Sequence, residues 1–113
     1  MKSLRNSVQL IGRLGQDPEI KTTQKGKKLA TFSLATSDKF TRADGEKGED
    51  TQWHQILVWG KLAGIVEDYL KKGQEVALEG KLIHRSYELE GERRYITEVN
   101  VNEMLMLGAK KEK

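Results

Sequence analysis

Trp53 and Trp59 are the two tryptophans of the chain, six positions apart in the run Thr51-Gln52-Trp53-His54-Gln55-Ile56-Leu57-Val58-Trp59-Gly60. An exposed indole is a flat π-surface, and unpaired nucleobases stack on such surfaces whatever their identity. Lysines and arginines nearby would add contacts to backbone phosphates. The chain has many of them: Lys25, Lys27, Lys28, Lys39, Arg42, Lys61, Lys71, Lys72, Lys81, Arg85, Arg93 and Arg94 gather around turns and segment ends, interleaved with Asp38, Asp44, Glu46, Glu49 and Asp50. A lone tryptophan on a strand is more often packing than binding. Two on one face, opposite aliphatic residues, leave packing and stacking both open.

The element that must position the rings is a strand. Aromatic, β-branched and apolar residues dominate the run, and Gly60 closes it. Alternation puts Trp53, Gln55, Leu57 and Trp59 on one face and His54, Ile56 and Val58 on the other. If Ile56 and Val58 fill the interior, both indoles stand outside, about 20 Å apart at a rise of roughly 3.3 Å per residue.

A length of 113 residues fits one domain, and 36% hydrophobic against 33% charged residues supports a modest core under a wet surface. Association would add useful burial. The net charge of +3 is weak evidence for an anionic partner, so the placement of the cations matters more than their excess. No apolar run approaches the ~20 residues of a membrane span. Met1-Lys2-Ser3-Leu4-Arg5-Asn6 lacks a signal-peptide core, so a cytoplasmic setting is expected. Without cysteine there is neither a disulfide framework nor a thiolate metal site, and no cofactor or metal is expected.

Along the chain, residues 6–14 read as a first strand and residues 16–19, around the single proline, as a turn. Residues 25–27 form a second turn. Residues 29–36 form a strand with Ala30, Phe32 and Leu34 inward. Residues 38–50 are polar and glycine-containing, too long for a tight hairpin turn, and read as a mobile arm. After the tryptophan strand, residues 61–72 form a helix with Leu62, Ile65, Val66, Tyr69 and Leu70 in one apolar stripe, which assigns Tyr69 to the core. Lys71, Lys72 and Gly73 suit its C-terminus. Residues 74–85 form a strand with a candidate bulge at Gly80. Residues 86–89 and 94–101 flank a hairpin turn at Glu90-Gly91-Glu92, and residues 104–107 are apolar. This order predicts an all-β protein: a five-stranded OB-fold barrel with one α-helix between the third and fourth strands. Residues 1–107 make up the domain and residues 108–113 a short charged end.

Gly12-Arg13-Leu14-Gly15-Gln16-Asp17-Pro18-Glu19, Leu34-Ala35-Thr36-Ser37, Trp53-His54, Gly60-Lys61-Leu62-Ala63, Tyr69-Leu70-Lys71-Lys72-Gly73 and Glu79-Gly80, in that order and spacing, resemble the bacterial single-stranded DNA-binding protein family over about the first hundred residues. The resemblance implies an OB-fold, sequence-independent binding and protection of single-stranded DNA in replication, recombination and repair, a homotetramer, and a nucleoid-associated cytoplasmic protein. By position it assigns stacking to Phe40, Trp53, Trp59 and Tyr87 and phosphate contacts to Lys61, Lys72 and Arg85, and it places His54 near a subunit interface. Gln55 and Ser7 depart from it, standing where the family often has basic residues. The family also carries a disordered tail with an acidic tip that recruits replication and repair proteins. This sequence stops at Lys113 without one, so recruitment through that tip is not carried over.

Two other classes stay open at this point. An enzyme would need a catalytic constellation, yet the two histidines, His54 and His84, fall on different predicted strands, and there is no H-E-x-x-H, G-x-S-x-G or complete P-loop. Gly12-Arg13-Leu14-Gly15 has the spacing of a nucleotide-clamping GXXG loop but closes a strand instead of joining helices. An OB-fold adaptor of replication restart, acting mainly through protein partners, is the second alternative.

Overall fold

Ala30, Phe32 and Leu34 alternate with partly exposed neighbours, and all three are buried. That period of two is the signature of a strand with one face on a core. In the computed structural model, which describes residues 4–107, it belongs to a strand twice as long as its apolar part. The elements are β1 (Val8–Leu14), β2 (Glu19–Thr22), β3 (Lys28–Thr41), β4 (Lys47–Trp59), α1 (Lys61–Tyr69), β5 (Glu75–Leu89) and β6 (Glu92–Met106).

The sheet order is β1-β5-β6-β4-β3-β2, and β1 also pairs with β3 through Arg13–Ala35 and Leu14–Leu34. That pairing closes β1, β5, β6, β4 and β3 into the expected five-stranded OB-fold barrel, with β2 hanging on β3. All pairings are antiparallel except β4 with β6. Counted among barrel strands, the helix lies between the third and fourth, as expected. Counted along the chain it follows β4, because the short polar β2 has no apolar period to announce it.

Phe32 and Leu34 from β3, Ile56 and Val58 from β4, Val76 from β5 and Val66 from α1 are the largest fully buried side chains. Val99 and Val101 from β6, Leu14 from β1 and Ala63 from α1 complete the filling. The helix thus plugs one end of the barrel. The Lys28 ammonium, whose pKa the Glu67 carboxylate raises by hydrogen bond and charge, ties α1 to the start of β3.

Several expectations need correction. Residues 38–50 are not a mobile arm, because β3 and β4 stay paired from Leu29–Trp59 out to Thr41–Lys47. Only residues 42–46 turn, held by Arg42 N–H to the Glu46 carbonyl (2.6 Å) and Glu46 N–H to Asp44 Oδ1 (3.0 Å), with Gly45 at φ 89°. This ribbon is wet on both faces, so it shows no apolar alternation. The helix does not reach residue 72. It ends at Tyr69, and Leu70 turns extended (φ −97°, ψ 140°), which delivers its side chain to the core at 4% exposure. Lys71, Lys72 and Gly73 therefore lie in the turn to β5. Finally, Tyr69 is 61% exposed and Ile65 38% exposed, because Ala63, Val66 and Leu70 take the contact with the barrel.

The Gly80 bulge is present. The β5–β6 register shifts between Glu79 and Gly80, where an added Cβ would lie 2.2 Å from the Asn100 carbonyl oxygen. The two segments on either side of the 90–92 turn fuse into continuous 15-residue strands. Glu90 (φ 53°) and Gly91 (φ 80°) form the turn with the left-handed backbone that matches strand twist in tight hairpins. The first strand starts at Val8 rather than residue 6, and the Asn6 side chain instead bonds both the N–H and the carbonyl of Leu82. Residues 108–113, expected to be a charged end, lie outside the described residues.

Candidate nucleic-acid interface

On β4 the alternation holds residue by residue. Ile56 and Val58 are fully buried, while Trp53 is 60% and Trp59 37% exposed. In-register partners share a face of a sheet. The tryptophan face therefore continues from Ala35 beside Trp53, through the row Ser33, Gln55, Glu98, Ile83, to the row Thr31, Leu57, Asn100, Lys81, with Leu29 beside Trp59. One step further along β5 and β6, the same parity adds Arg85 opposite Ile96 and Tyr87 opposite Arg94. Trp53, Trp59, Arg85 and Tyr87 thus occupy one outer surface spanning four strands.

Each ring has its own support. The Trp53 indole lies on the backbone of Gly15, where a Cβ would come within 2.5 Å of its Cζ3 atom. Gly15 is fixed by its N–H to the Ser33 carbonyl (3.0 Å). Trp59 faces the turn between β2 and β3: Lys27 Nζ stands 5.7 Å from its ring centroid, and Thr23, Gln24, Lys25 and Asn100 complete a shallow depression around it. Tyr87 is 44% exposed on the β5–β6 hairpin.

Phe40 is not brought to this surface. It pairs with Gly48, and the unbroken β3–β4 register gives it the parity of Phe32 and Leu34, opposite to that of Trp53. It is 43% exposed because the ribbon has left the barrel there. Its ring lies over Gly48, where a Cβ would fall 2.5 Å from Cε1, and the Arg42 guanidinium lies 5.5 Å from its centroid.

The cations differ in freedom. Lys61 opens α1, exposed and one residue past Gly60. Lys72 is exposed in the turn after the helix, with its backbone N–H on Asp17 Oδ1 (2.8 Å), and so beside the loop that begins at Gly15. Arg85 is already engaged. Its Nε donates to Glu98 Oε1 (2.7 Å) and its Nη2 to Oε2 (3.0 Å), which raises its pKa above the ordinary arginine value. His54 is half-buried on the inner face of β4, with Nε2 2.9 Å from the Thr36 hydroxyl. Ser7 donates to Glu79 (3.0 Å), and Gln55 is exposed between the tryptophans.

Sequence reasoning named Gly15 only within a strand-closing motif and Lys27 only among the clustered cations, without linking either to a ring, and it did not single out Gly48 or Glu98. Their roles come from long-range register, and only the alternation of Glu98 with Val99 could have set it on the outer face. Among the described residues no group of three or more His, Asp or Glu could hold a metal ion, and no helix is long and apolar enough to cross a membrane.

A barrel that turns separated rings and nearby cations to one surface defines a single-strand nucleic-acid-binding module. Residues 5–107 match the family described as the single-strand binding protein family, and the chain belongs to it. It is 48% identical over 107 residues to single-stranded DNA-binding protein 1 of Chlorobaculum tepidum, covering 93% of this chain and 66% of that protein. It is 45% identical over 109 residues to single-stranded DNA-binding protein 1 of Xylella fastidiosa, covering 95% of this chain and 80% of that protein. Among solved structures, the Plasmodium falciparum SSB in complex with single-stranded DNA superposes with a TM-score of 0.84 at 34% identity, covering 96% of this chain and 98% of that one. A deletion mutant of the Thermus aquaticus single-stranded DNA binding protein gives 0.80 at 31%, covering 93% and 51%. These relatives carry the names of binding proteins, not enzymes.

Proposed function

We propose that this protein binds single-stranded DNA without sequence preference and protects it during replication, recombination and repair, in the cytoplasm and on the nucleoid. The observation that carries this reading is the division of β4: aliphatic residues in the core, both indoles outside on a face shared with Tyr87. Bases stack on Trp53, Trp59 and Tyr87, while Lys61 and Lys72 meet phosphates. Phe40 extends the stacking surface only where the strand passes around the edge of the β3–β4 ribbon. Duplex DNA keeps its bases inside and cannot use the rings. The relative solved with single-stranded DNA supports the same partner here.

The test is quenching of tryptophan fluorescence on titration with oligo-dT, compared with binding of the Trp53→Ala, Trp59→Ala double variant by anisotropy of labelled oligo-dT. Each stacked base contributes ~1–3 kcal/mol, so each lost ring weakens binding by at least several-fold. A folded double variant that binds as tightly as the parent would falsify the stacking assignment. An adaptor working only through protein partners would show no quenching at all.

We also propose a homotetramer with His54 near a subunit contact. Ile11 and Leu105, in register across Ala77 on the outer face of β1, β5 and β6, are 59% and 64% exposed, and association would cover them. Light scattering at four times the 12.8 kDa chain mass is the expected result, and a monomer mass overturns it.

A further inference from the structure

We propose that Arg85 is a base-stacking platform clamped by Glu98 rather than a phosphate contact, an inference that rests on the single-strand reading above and deepens it. Arg85 lies opposite Ile96 and Glu98 opposite Ile83, so the two are diagonal neighbours on the outer surface of β5 and β6. Two hydrogen bonds, 2.7 and 3.0 Å, join one edge of the guanidinium to both carboxylate oxygens. Such fork-to-fork bonds lie in the guanidinium plane and fix its orientation. Being in the plane, they do not occupy its flat faces, and the Arg85 side chain is 53% exposed.

The same pair argues against a phosphate role. Glu98 is only 4% exposed, and Arg85 is the cation that compensates its charge. Swinging the guanidinium away to a phosphate would leave a buried carboxylate without its partner, which is strongly unfavourable. Held in place, the pair carries no net charge toward the DNA. What it offers is a rigid planar surface two residues from Tyr87, one step along the strands from the row in which Glu98 leads through Gln55 to the tryptophan strand. Bases stack on arginine planes as they do on aromatic rings. Lysine keeps the charge but has no plane.

The experiment titrates oligo-dT against the full chain and its Arg85→Ala and Arg85→Lys variants across a salt series, with Trp53→Ala alongside. A stacking platform predicts that both Arg85 variants lose affinity roughly tenfold, lysine rescuing nothing, while log K against log salt keeps the parent slope. The assignment is overturned if Arg85→Ala flattens the slope by about 0.7 and Arg85→Lys restores parent binding, which is the behaviour of one phosphate contact to a single strand. Parent affinity in both variants overturns it too. If Trp53→Ala is weak in either case, the single-strand reading survives and only the Arg85 assignment falls; if Trp53→Ala also binds normally, the stacking reading itself fails. Should a single variant not fold, the pair Arg85→Met with Glu98→Leu leaves no charge buried alone, and the same loss at unchanged slope is expected.

Discussion

At the scale of single residues, two of the exposed rings rest on glycines. Trp53 on Gly15 and Phe40 on Gly48 are the same device: a flat side chain laid over backbone that has no Cβ to hold it off. This fixes the ring without burying its other face, as a stacking surface requires. Gly15→Ala should therefore weaken binding although every aromatic residue remains. The added methyl would meet the indole at 2.5 Å, and Trp53 must tilt away from its support. The measurement is a double-mutant cycle with Trp53→Ala on oligo-dT affinity. Because Gly15 acts through the indole, the two losses should not add, and the double variant should bind like Trp53→Ala alone. Full additivity would assign Gly15 a role independent of the ring. The exposure of Trp53 and Trp59 was legible in the sequence, because a period of two needs only neighbours along one strand. Their supports were not, because Gly15 reaches Trp53 only through the β1–β3 closure and Lys27 reaches Trp59 only through the β3–β4 register.

At the scale of elements, the sequence was readable wherever one face met the core and misleading where neither did. Ala30, Phe32 and Leu34 predicted the barrel half of β3. The outer half, through Lys39 and Thr41, is polar on both sides and has the composition of a loop, and only its pairing with β4 makes it a strand. Strand pairing there rests on backbone bonds and the turn at residues 42–46, which composition alone does not reveal. The helix failed in the opposite sense. Its apolar stripe is wider than the contact, so periodicity points Tyr69 to the core although it is exposed, while Leu70, past the helix end, is buried. Adjacent substitutions separate the two by thermal or denaturant unfolding. Leu70→Ala should cost about 2–5 kcal/mol, in the range for emptying a packed core position. Tyr69→Ser should stay within about 0.5 kcal/mol of the parent, as exposed positions do. A large loss for Tyr69→Ser in the isolated chain would place its ring in the packing after all.

At the scale of the whole molecule, 20 basic and 17 acidic residues leave little net field, so the proposed phosphate contacts depend on where single cations stand relative to the rings. Lys27 stands over Trp59, Lys61 follows it at the start of α1, and Lys72 lies beside the loop that supports Trp53. A strand laid along β4 would pass these cations in sequence while its bases reach the two indoles, spaced by about 20 Å at roughly 3.3 Å per residue. Two kinds of attraction then act on it, and salt separates them. Phosphate contacts weaken as salt rises, with a slope near 0.7 per contact for a single strand, whereas stacking has no counterions to release. Lys61→Ala and Lys72→Ala should each flatten the salt dependence of oligo-dT binding by about 0.7 and converge on parent affinity as salt increases. Trp53→Ala should do the reverse, lowering affinity by a similar factor at every salt concentration. Crossed behaviour, with the lysine variants shifting affinity uniformly and the tryptophan variant changing the slope, would mean that the strand follows another path across the barrel.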